Sequence, residues 1–270
     1  MRAQRDRLQS FFLTALKLRR FANPFHIARV LLERFRLGRG VEAFLARSNG
    51  VIHVGASTGQ ERETYADYGL YVLWIEPISS VFECLQANLV SFPQQRAICA
   101  LLSKRDGERS TLHVANNGGE SSSVLELAEH KEIWPDIHYV EHIEMEGITL
   151  PTLLSEEVLE ERAYDALVLD TQGSELEILR GAESILRQFR FIKTEVADFE
   201  AYVGCARLSE LKKFLRLNGF REISRQVQAE HPNGGRYYDV LFQRTVANAW
   251  RRLGTPYLRF VRASASRLYR

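Results

Sequence analysis

The sequence predicts an α/β fold, a doubly wound and mostly parallel sheet with helices on both faces and antiparallel strands at one edge. Short apolar runs alternate with amphipathic segments over about 200 residues, which is the element order of such a sheet. Polar residues lie where the apolar runs end, as at the carboxyl ends of buried parallel strands. Two strand-like segments, "REISRQVQ" and "YYDVLFQR", close the pattern and predict the antiparallel edge.

The first elements alternate regularly between helix and strand. A helix over 41–47 is predicted to lead into a strand at Val51–Val54, and a helix over 60–68 follows. The run "YVLWIEP" is the second strand and ends at Glu76, "SSVFECLQANLVSF" is a helix, and "RAICALLS" is the third strand. The turn "KRDG" and the run "RSTLHVA" then predict a β-hairpin with that third strand.

The second half begins after the polar loop "NNGGESSSVLEL". "YVEHIEMEGITL" predicts a strand, "PTLLSEE" a helix, and "YDALVLD" a buried strand that ends at Asp170. "GSELEILRGAESILRQF" predicts one helix, and "FIKTEVA" predicts a strand that ends near Glu195. "LSELKKFLRLNGF" predicts an amphipathic helix that stops at Gly219.

Composition fits a soluble globular protein of one large domain with extensions. The chain has 270 residues, and no apolar run reaches the roughly 18 residues that span a bilayer. The N-terminal apolar segment is interrupted by Lys17, Arg19 and Arg20, unlike a signal peptide. The three cysteines are far apart and form no C-x-x-C pair, which argues against a disulfide framework and predicts a cytoplasmic location.

Charge divides the chain into three parts. Residues 1–40 carry ten Lys and Arg against two acids, and 244–270 carry seven Arg and no acid, although the whole chain is only at +2. We therefore expect an acidic domain over 41–244 between basic, helical extensions over 1–40 and 245–270. Bulky apolar residues beside arginine fit helices at an anionic membrane surface, on the inner face, but also helices packed on the domain or on a second copy. No nucleic-acid-binding module is visible, so a nucleic acid is not an expected partner.

The stretch "VIHVGASTGQE" follows the first strand, where an open α/β sheet binds its ligand. The dinucleotide fingerprint needs glycine at 55, 57 and 60, and the chain has Gly55, Ser57 and Gln60, so this fingerprint fails. The looser motif of S-adenosylmethionine (SAM) enzymes is acid-x-G-x-G-x-G, and here it falls on positions 53, 55, 57 and 59. Gly55 and Gly59 match this motif, whereas His53 and Ser57 depart from it. Glycine permits a sharp turn and close approach of a ligand to backbone. Glu76 at the second strand end can accept both ribose hydroxyls, or is an ordinary strand end.

Four segments in order resemble the FkbM family of SAM-dependent methyltransferases. They are "VIHVGASTGQE…YGLYVLWIEP", "NNGGESSSVLEL", "LVLDTQGSELEILRGA" and "KTEVADFEAYVG…LKKFLRLNGF", and the resemblance runs from about Gly50 to Arg244. It implies the class I methyltransferase (Rossmann-like) fold, SAM as donor, and methylation of a hydroxyl on a sugar or natural product. The chain resembles a branch with H-V-G-A, while Ser57 departs from the Asn or His of that position.

The resemblance implies a SAM site built at the strand ends. Within it, His53 is expected to support the loop by hydrogen bonding, and Glu61 to lie near the amino group of the donor. The predicted cofactor-binding residues are His53, Gly55, Ala56, Ser57, Gly59, Glu61, Glu76, Ser103 and Asp170.

SAM carries an activated methyl group, so the protein must align donor and acceptor and help to remove a proton. Asp170 is the first candidate for a general base, but it can equally orient the ligands or cap the following helix. His130 is the second candidate, and its alternative is a packing histidine.

Composition alone makes "NNGGESSS" a flexible surface loop, whereas the resemblance makes it part of the site. The predicted contacts with the acceptor or the SAM carboxylate are Asn116, Asn117, Ser122 and Ser123, and the predicted contacts with the acceptor alone are Gln172, Glu195 and Tyr202.

No metal is expected. His138 and His142 are four residues apart, but on a predicted strand, where the spacing does not suit zinc. A magnesium site on Asp170 and Glu195 is the alternative.

The leading hypothesis is a SAM-dependent O-methyltransferase acting on a sugar, a glycan or a glycosylated metabolite. A catalytically silent module that binds a glycan or tethers an assembly through its basic ends is the second, and an NAD-dependent oxidoreductase is disfavoured by the failed fingerprint.

Overall fold

A computed structural model describes residues 40–156 and 164–245. The strands are β1 (Gly50–Val54), β2 (Tyr71–Glu76), β3 (Gln95–Cys99), β4 (Glu108–Ala115), β5 (Tyr139–Gly147), β6 (Ala166–Leu169), β7 (Phe191–Ala197), β8 (Phe220–Glu230) and β9 (Arg236–Arg244). The α-helices are α1 (Arg62–Asp67), α2 (Ser79–Leu89), α3 (His130–Ile133), α4 (Leu150–Glu156), α5 (Glu175–Gly181) and α6 (Leu208–Leu217). Two 3-10 helices span Leu45–Arg47 and Leu186–Gln188.

Seven of the strands form one sheet in the order β3-β2-β1-β6-β7-β9-β8. The first five strands of that order are parallel, whereas β9 runs antiparallel to both β7 and β8. The predicted doubly wound sheet with an antiparallel edge is therefore confirmed. Because the strand order reverses at β1, a crevice opens beyond the carboxyl ends of β1 and β6.

The core lies on both faces of this sheet, as the continuous apolar runs predict. Ile52 of β1 and Leu167 of β6 belong to a cluster with the apolar sides of α4, α5 and α6. Val51 and Val168, one residue along, belong to the opposite cluster with residues of α1 and α2. Burial on both faces fixes the register of the central strands, and with it the positions of the side chains that follow them.

The predicted hairpin between the third strand and "RSTLHVA" is wrong. The strand β3 pairs only with β2 in the sheet, and β4 pairs antiparallel with β5 in a separate two-stranded ribbon. The ribbon buries Leu112 and Val114 against Ile78, which follows β2. The local turn signal was correct, but the alternating apolar residues of β4 find their partners in β5, more than twenty residues later in the chain.

Two predicted helices also differ from the structure. The segment 41–47 forms turns and a short 3-10 helix rather than an α-helix. The helix predicted over "GSELEILRGAESILRQF" ends at Gly181, where an added Cβ would lie 2.5 Å from the carbonyl oxygen of Ser103. This close approach of two backbones leaves no room for a side chain at position 181. Helix α6 stops before Gly219, which has a φ of 87°, as predicted.

The basic extensions predicted over 1–40 and 245–270 lie outside the described residues, apart from Gly40 and Thr245. Across the described parts of the chain, no helix combines the length and the apolar composition that crossing a membrane requires.

Candidate active site

Two adjoining cavities lie beyond the carboxyl ends of the parallel strands. The β2 cavity is walled by residues after β2 and β3 and by the segment 122–124, and the β7 cavity reaches from the β1 loop to β7, α3 and β9. Gly55, Ser57, Glu120, Asp170 and Gln172 line both cavities. The site is therefore continuous, with the ends of β1 and β6 at its centre.

The glycines of the β1 loop are required by protein packing. Gly55 has a φ of 77°, and an added Cβ would lie 1.7 Å from the carbonyl oxygen of Asp170. Gly59 has a φ of 75°, and its added Cβ would lie 2.7 Å from the side chain of Leu85. The sequence-based expectation was that a ligand approaches these glycines. The structure shows that neighbouring loop and helix atoms already occupy the space beside them.

Glu76 is held in place at the end of β2. Its carboxylate accepts hydrogen bonds from the backbone N–H of Ser57 at 2.9 Å and of Ile78 at 3.0 Å. The residue is 5% exposed, and burial raises its pKa to about 7 against the lowering effect of the two hydrogen bonds. Ser57 adopts the left-handed region with a φ of 45°, a strained conformation for a residue other than glycine. The hydrogen bond between Ser57 and Glu76 joins the β1 loop to the floor of the β2 cavity.

His53 is a neutral histidine packed within the sheet. Its Nδ1 shares a hydrogen bond of 3.0 Å with the hydroxyl of Tyr65, and its ring stacks on Trp74 at 4.9 Å between centroids. Burial lowers its pKa to about 3. The side chain lines the β7 cavity, but its hydrogen-bond partner belongs to α1 and not to the loop that it was expected to support.

A hydrogen-bond network connects the ends of β6 and β7. The side-chain amide of Gln172 donates to Asp170 Oδ1 at 2.8 Å and to Glu195 Oε2 at 3.0 Å. The hydroxyl of Tyr202 donates to Gln172 Oε1 at 2.6 Å, which fixes the orientation of the amide. Gln172 has a φ of 55°, so a strained backbone holds its side chain between the two acids.

The two acids of this network influence each other. Desolvation raises the pKa of both Asp170 and Glu195, and the amide of Gln172 opposes both rises. Repulsion from Asp170 raises the pKa of Glu195 further. The Asp170 side chain faces the open cleft and Glu195 is half-buried. Together the two carboxyl groups accept a proton more readily than isolated acids do.

The turn after Asp170 is held by Glu175. Its carboxylate accepts hydrogen bonds from the backbone N–H of Thr171 at 2.9 Å and of Gly173 at 3.1 Å. Ser174 occupies the N-cap position of α5. Asp170 is therefore not the cap of this helix, and its carboxylate remains directed to the network.

The polar loop is only partly turned to the site. Ser122 and Ser123 line the β2 cavity, and the hydroxyl of Ser123 donates to the carbonyl of Gln172 at 2.7 Å. Asn117 lines the β7 cavity and exchanges hydrogen bonds with Ser121 at 3.0 and 3.2 Å. Asn116 lines neither cavity, because its amide is bonded to the backbone of Asp136 and His138. The predicted ligand contact of Asn116 is thus replaced by a structural role.

His130 at the start of α3 lines the β7 cavity and is 3% exposed. Its Nδ1 shares a hydrogen bond of 2.8 Å with the hydroxyl of Tyr237, and its ring lies 4.6 Å from that of Trp134. Its Nε2 is buried without a hydrogen-bond partner among the described residues. Burial lowers its pKa to about 4, so the ring is neutral near pH 7.

Of the remaining predicted residues, two line a cavity and one does not. Ala56 and Glu61 line the β7 cavity. Ser103 lines neither cavity, and its hydroxyl donates to the carbonyl of Arg105 at 2.7 Å. Because β3 ends at Cys99, the residues that reach the β2 cavity from this connection are Ala100, Leu101 and Leu102.

Several lining residues had not been predicted from the sequence. Gln60 and Glu120 face each other across the cleft with a hydrogen bond of 3.3 Å, and both line the β7 cavity. Glu120 lies inside "NNGGESSS", so the polarity of that segment was a usable signal. Trp134 and Tyr237 carry no such signal in the sequence, because only the folded structure brings α3 and β9 together. Within residues 40–156 and 164–245, no group of three or more His, Cys, Asp or Glu side chains is arranged to hold a metal ion.

The strand order, the crevice at β1 and the carboxylate after β2 define a class I methyltransferase architecture. The family model of the methyltransferase FkbM domain matches residues 53–222, and the chain belongs to this family. It is a SAM-dependent methyltransferase, with S-adenosyl-L-methionine as its cofactor.

The chain is also similar to individual proteins. It is 24% identical over 197 residues to the 2-O-methyltransferase NoeI of Sinorhizobium fredii, covering 70% of this chain and 79% of the relative. TrmK of M. capricolum in complex with S-adenosyl-homocysteine has a TM-score of 0.44 at 10% identity, with 78% of this chain and 68% of that chain covered. Magnesium protoporphyrin IX methyltransferase (ChlM) of Synechocystis PCC 6803 with bound SAM has a TM-score of 0.42 at 12% identity, with 87% and 97% covered. These two structural similarities are too loose to bear on the site.

Proposed function

We propose that this methyltransferase transfers the methyl group of SAM to a hydroxyl of a sugar, either in a glycan or in a glycosylated metabolite. The observation that carries the proposal is the pair of cavities that meet at Asp170 and Gln172, because a transferase needs donor and acceptor sites in contact. The relative that is a 2-O-methyltransferase supports oxygen as the methylated atom.

The β2 cavity fits the adenosine part of SAM. Ile78, Leu101, Leu102 and Val124 give it apolar walls suited to an adenine ring. Glu76 is fixed at the end of β2, where a carboxylate can accept the ribose hydroxyls. We assign the donor to this cavity and its methionine end to the region shared by the two cavities.

The β7 cavity fits a hydroxyl-rich acceptor. Its lining combines amide and hydroxyl groups, from Gln60, Asn117 and Ser121, with the aromatic rings of Trp134 and Tyr237. Such a mixture gives hydrogen bonds to hydroxyl groups and flat apolar faces for the carbon skeleton. We assign the acceptor to this cavity.

Asp170 is the proposed general base. Its Oδ1 accepts from Gln172, and Oδ2 has no partner among the described residues, so it is free to accept a hydrogen bond from an acceptor hydroxyl. The raised pKa of its carboxyl brings it closer to the working pH, which favours a general base. SAM supplies the activated methyl group when bound. Neutral His130 is the second candidate, since its unpartnered Nε2 belongs to a residue of the acceptor cavity.

Methyl transfer from isotopically labelled SAM tests the proposal. The full chain is incubated with glycans and glycosylated metabolites, and the labelled products are hydrolysed and identified. We expect label in alkali-stable methyl ethers of sugars. Label in methyl esters would contradict methylation of a hydroxyl, and label on nitrogen would contradict O-methylation. SAM binding without transfer to any of these acceptors would favour the catalytically silent module.

We further propose that the enzyme is cytoplasmic and that its basic ends bind an anionic membrane surface or a second copy of the chain. The charge of 1–40 and 244–270 supports this proposal. Co-sedimentation with anionic vesicles at low salt tests the first alternative, and light scattering tests the second. A monomer that stays in the supernatant would contradict both.

A further inference from the structure

The β7 cavity is lined by acidic side chains and by no basic one. Among its lining residues are the carboxyl groups of Glu61, Glu120, Asp170 and Glu195, and neither Lys nor Arg occurs there. None of the four acids forms an ion pair with another described residue. Lys193, whose charge acts on nearby His53, is already paired with Glu42 at 2.6 Å and Asp239 at 3.2 Å.

A second feature marks the same cavity as a binding site. The Nε2 of His130 is buried and unpartnered, and a buried polar atom without a partner is costly unless a ligand or water satisfies it. The ring is surrounded by Trp134, Tyr202 and Tyr237 at centroid distances of 4.6, 5.0 and 5.9 Å. Aromatic faces of this kind attract neutral carbon skeletons and cations, but not anions.

From these two features we infer that the sugar residue methylated in the β7 cavity carries no negative charge, and that the acidic lining, which contains neither Lys nor Arg, excludes uronic acids and phosphorylated sugars. This inference rests on the proposed function and narrows its substrate class to neutral sugars and amino sugars. An anionic group entering the cavity would lose its hydration beside acidic side chains, with no Lys or Arg in the lining to compensate.

Part of the negative charge of the cavity also attracts the donor, because SAM carries a sulfonium and an ammonium group. S-adenosylhomocysteine lacks the sulfonium and therefore leaves the charge of the cavity uncompensated at that point. Experiments on the acceptor side are best made with this product bound.

Quenching of Trp134 fluorescence measures the charge of the cavity without a known acceptor. Trp134 is 38% exposed and lines the cavity, whereas Trp74 is fully buried and Trp250 can be replaced by Phe. With S-adenosylhomocysteine bound, we expect caesium ions to quench Trp134 more efficiently than iodide ions. After each quenching constant is divided by its value for free, exposed tryptophan, the ratio of caesium to iodide should be on the order of twofold or more. The ratio of caesium to iodide quenching should fall towards one in Glu120→Gln and further in Glu120→Gln/Glu61→Gln.

The matched control is Glu183→Gln, which removes an exposed acid outside the cavity and should leave the ratio unchanged. Equal quenching by the two ions in the parent chain would overturn the inference. Glu120 lies on the exposed polar loop, so the single variant remains informative if the double variant does not fold.

Product charge gives an independent test. Glycans labelled by methyl transfer are cleaved to mono- and disaccharides and separated on an anion exchanger. We expect the label in the unretained fraction, and a label mainly on retained, acidic sugars would overturn the inference. If no fraction is labelled, the proposed function fails, while the quenching ratio still decides the charge of the cavity.

Discussion

Gly55 and Asp170 contact each other so closely that no side chain fits between them. A Cβ on Gly55 would lie 1.7 Å from the carbonyl oxygen of Asp170, and the N–H of Asp170 donates to the carbonyl of Val54 at 3.0 Å. The β1 loop and the β6 turn are thereby fixed as one unit. Because both cavities share these two residues, the contact sets the relative position of the proposed donor and acceptor sites.

The first prediction concerns Gly55→Ala. The added methyl group must displace the β6 turn, so we expect the free energy of unfolding to fall by about 3 kcal/mol or more and SAM binding to be lost. Gly69→Ala is the matched control, because Gly69 has a similar φ of 64° with nothing within 4 Å of its added Cβ. It should cost about 1–2 kcal/mol through backbone conformation alone. Urea denaturation compares the two, and equal losses would show that the contact with Asp170 is unimportant.

The second prediction concerns the acid pair. Asp170→Asn should lower the turnover number by about 100-fold or more, while the affinity for SAM changes little, because the proposed base is lost but the turn is kept. A variant with full turnover would exclude Asp170 as the base. Titration calorimetry with SAM separates this result from a loss of donor binding.

Glu61→Gln should act on the same base through charge. Repulsion from Glu61 is one of the causes that raise the pKa of Asp170, so removing it lowers that pKa and Asp170 stays ionised to lower pH. The acidic limb of the pH–rate profile should therefore move to lower pH. Glu183→Gln, which is exposed and outside both cavities, should leave the limb in place. An unchanged limb in Glu61→Gln would show that the charge of Glu61 does not act on the base during catalysis.

The third prediction concerns Glu76 and stability. Its pKa is raised from 4.5 to about 7 by burial, so the folded protein holds a proton there that the unfolded chain loses above pH 4.5. Stability is therefore lost as pH rises from 4.5 to 7, by up to about 3 kcal/mol from this group. Glu76→Gln should remove that part of the pH dependence, and Glu83→Gln, exposed on α2, should keep it. Denaturation at several pH values, without ligand, measures both slopes.

The sequence predicted the fold well because burial on both faces leaves a local signal. The runs of β1, β2 and β6 are almost entirely apolar, and each ends at a residue that lines the cleft or lies beside it. Pairing of β4 was not predictable from its own turn, because the partner strand β5 lies far along the chain.

The site was predicted less completely, for reasons of geometry. Asn116 and Asn117 are neighbours of identical chemistry, but only the loop conformation turns one to the cavity and the other to the backbone of Asp136 and His138. Tyr237 comes from the antiparallel edge and meets His130, which is 107 residues earlier. No local pattern encodes such a contact, since it depends on the packing of whole elements.

The last prediction concerns that contact. His130→Phe leaves the buried hydroxyl of Tyr237 without its partner, which should cost about 1–3 kcal/mol of stability, whereas His130→Phe/Tyr237→Phe should recover most of the loss. The pKa of His130 is lowered from 6.5 to about 4, so its contribution to stability is present above pH 6.5 and is lost as pH falls towards 4. Both variants should flatten the stability profile in that window. His53, with its own lowered pKa, keeps a residual slope in each of them.

Kinetics of the double variant then separate the two roles proposed for His130. If Nε2 only binds the acceptor, KM for the acceptor should rise while the turnover number changes by less than about tenfold. If His130 is the base, the turnover number should fall by about 100-fold or more even at saturating acceptor. Tyr237→Phe alone keeps the imidazole and serves as the control. A double variant with unchanged KM and turnover would show that the unpartnered nitrogen is not used by the substrate.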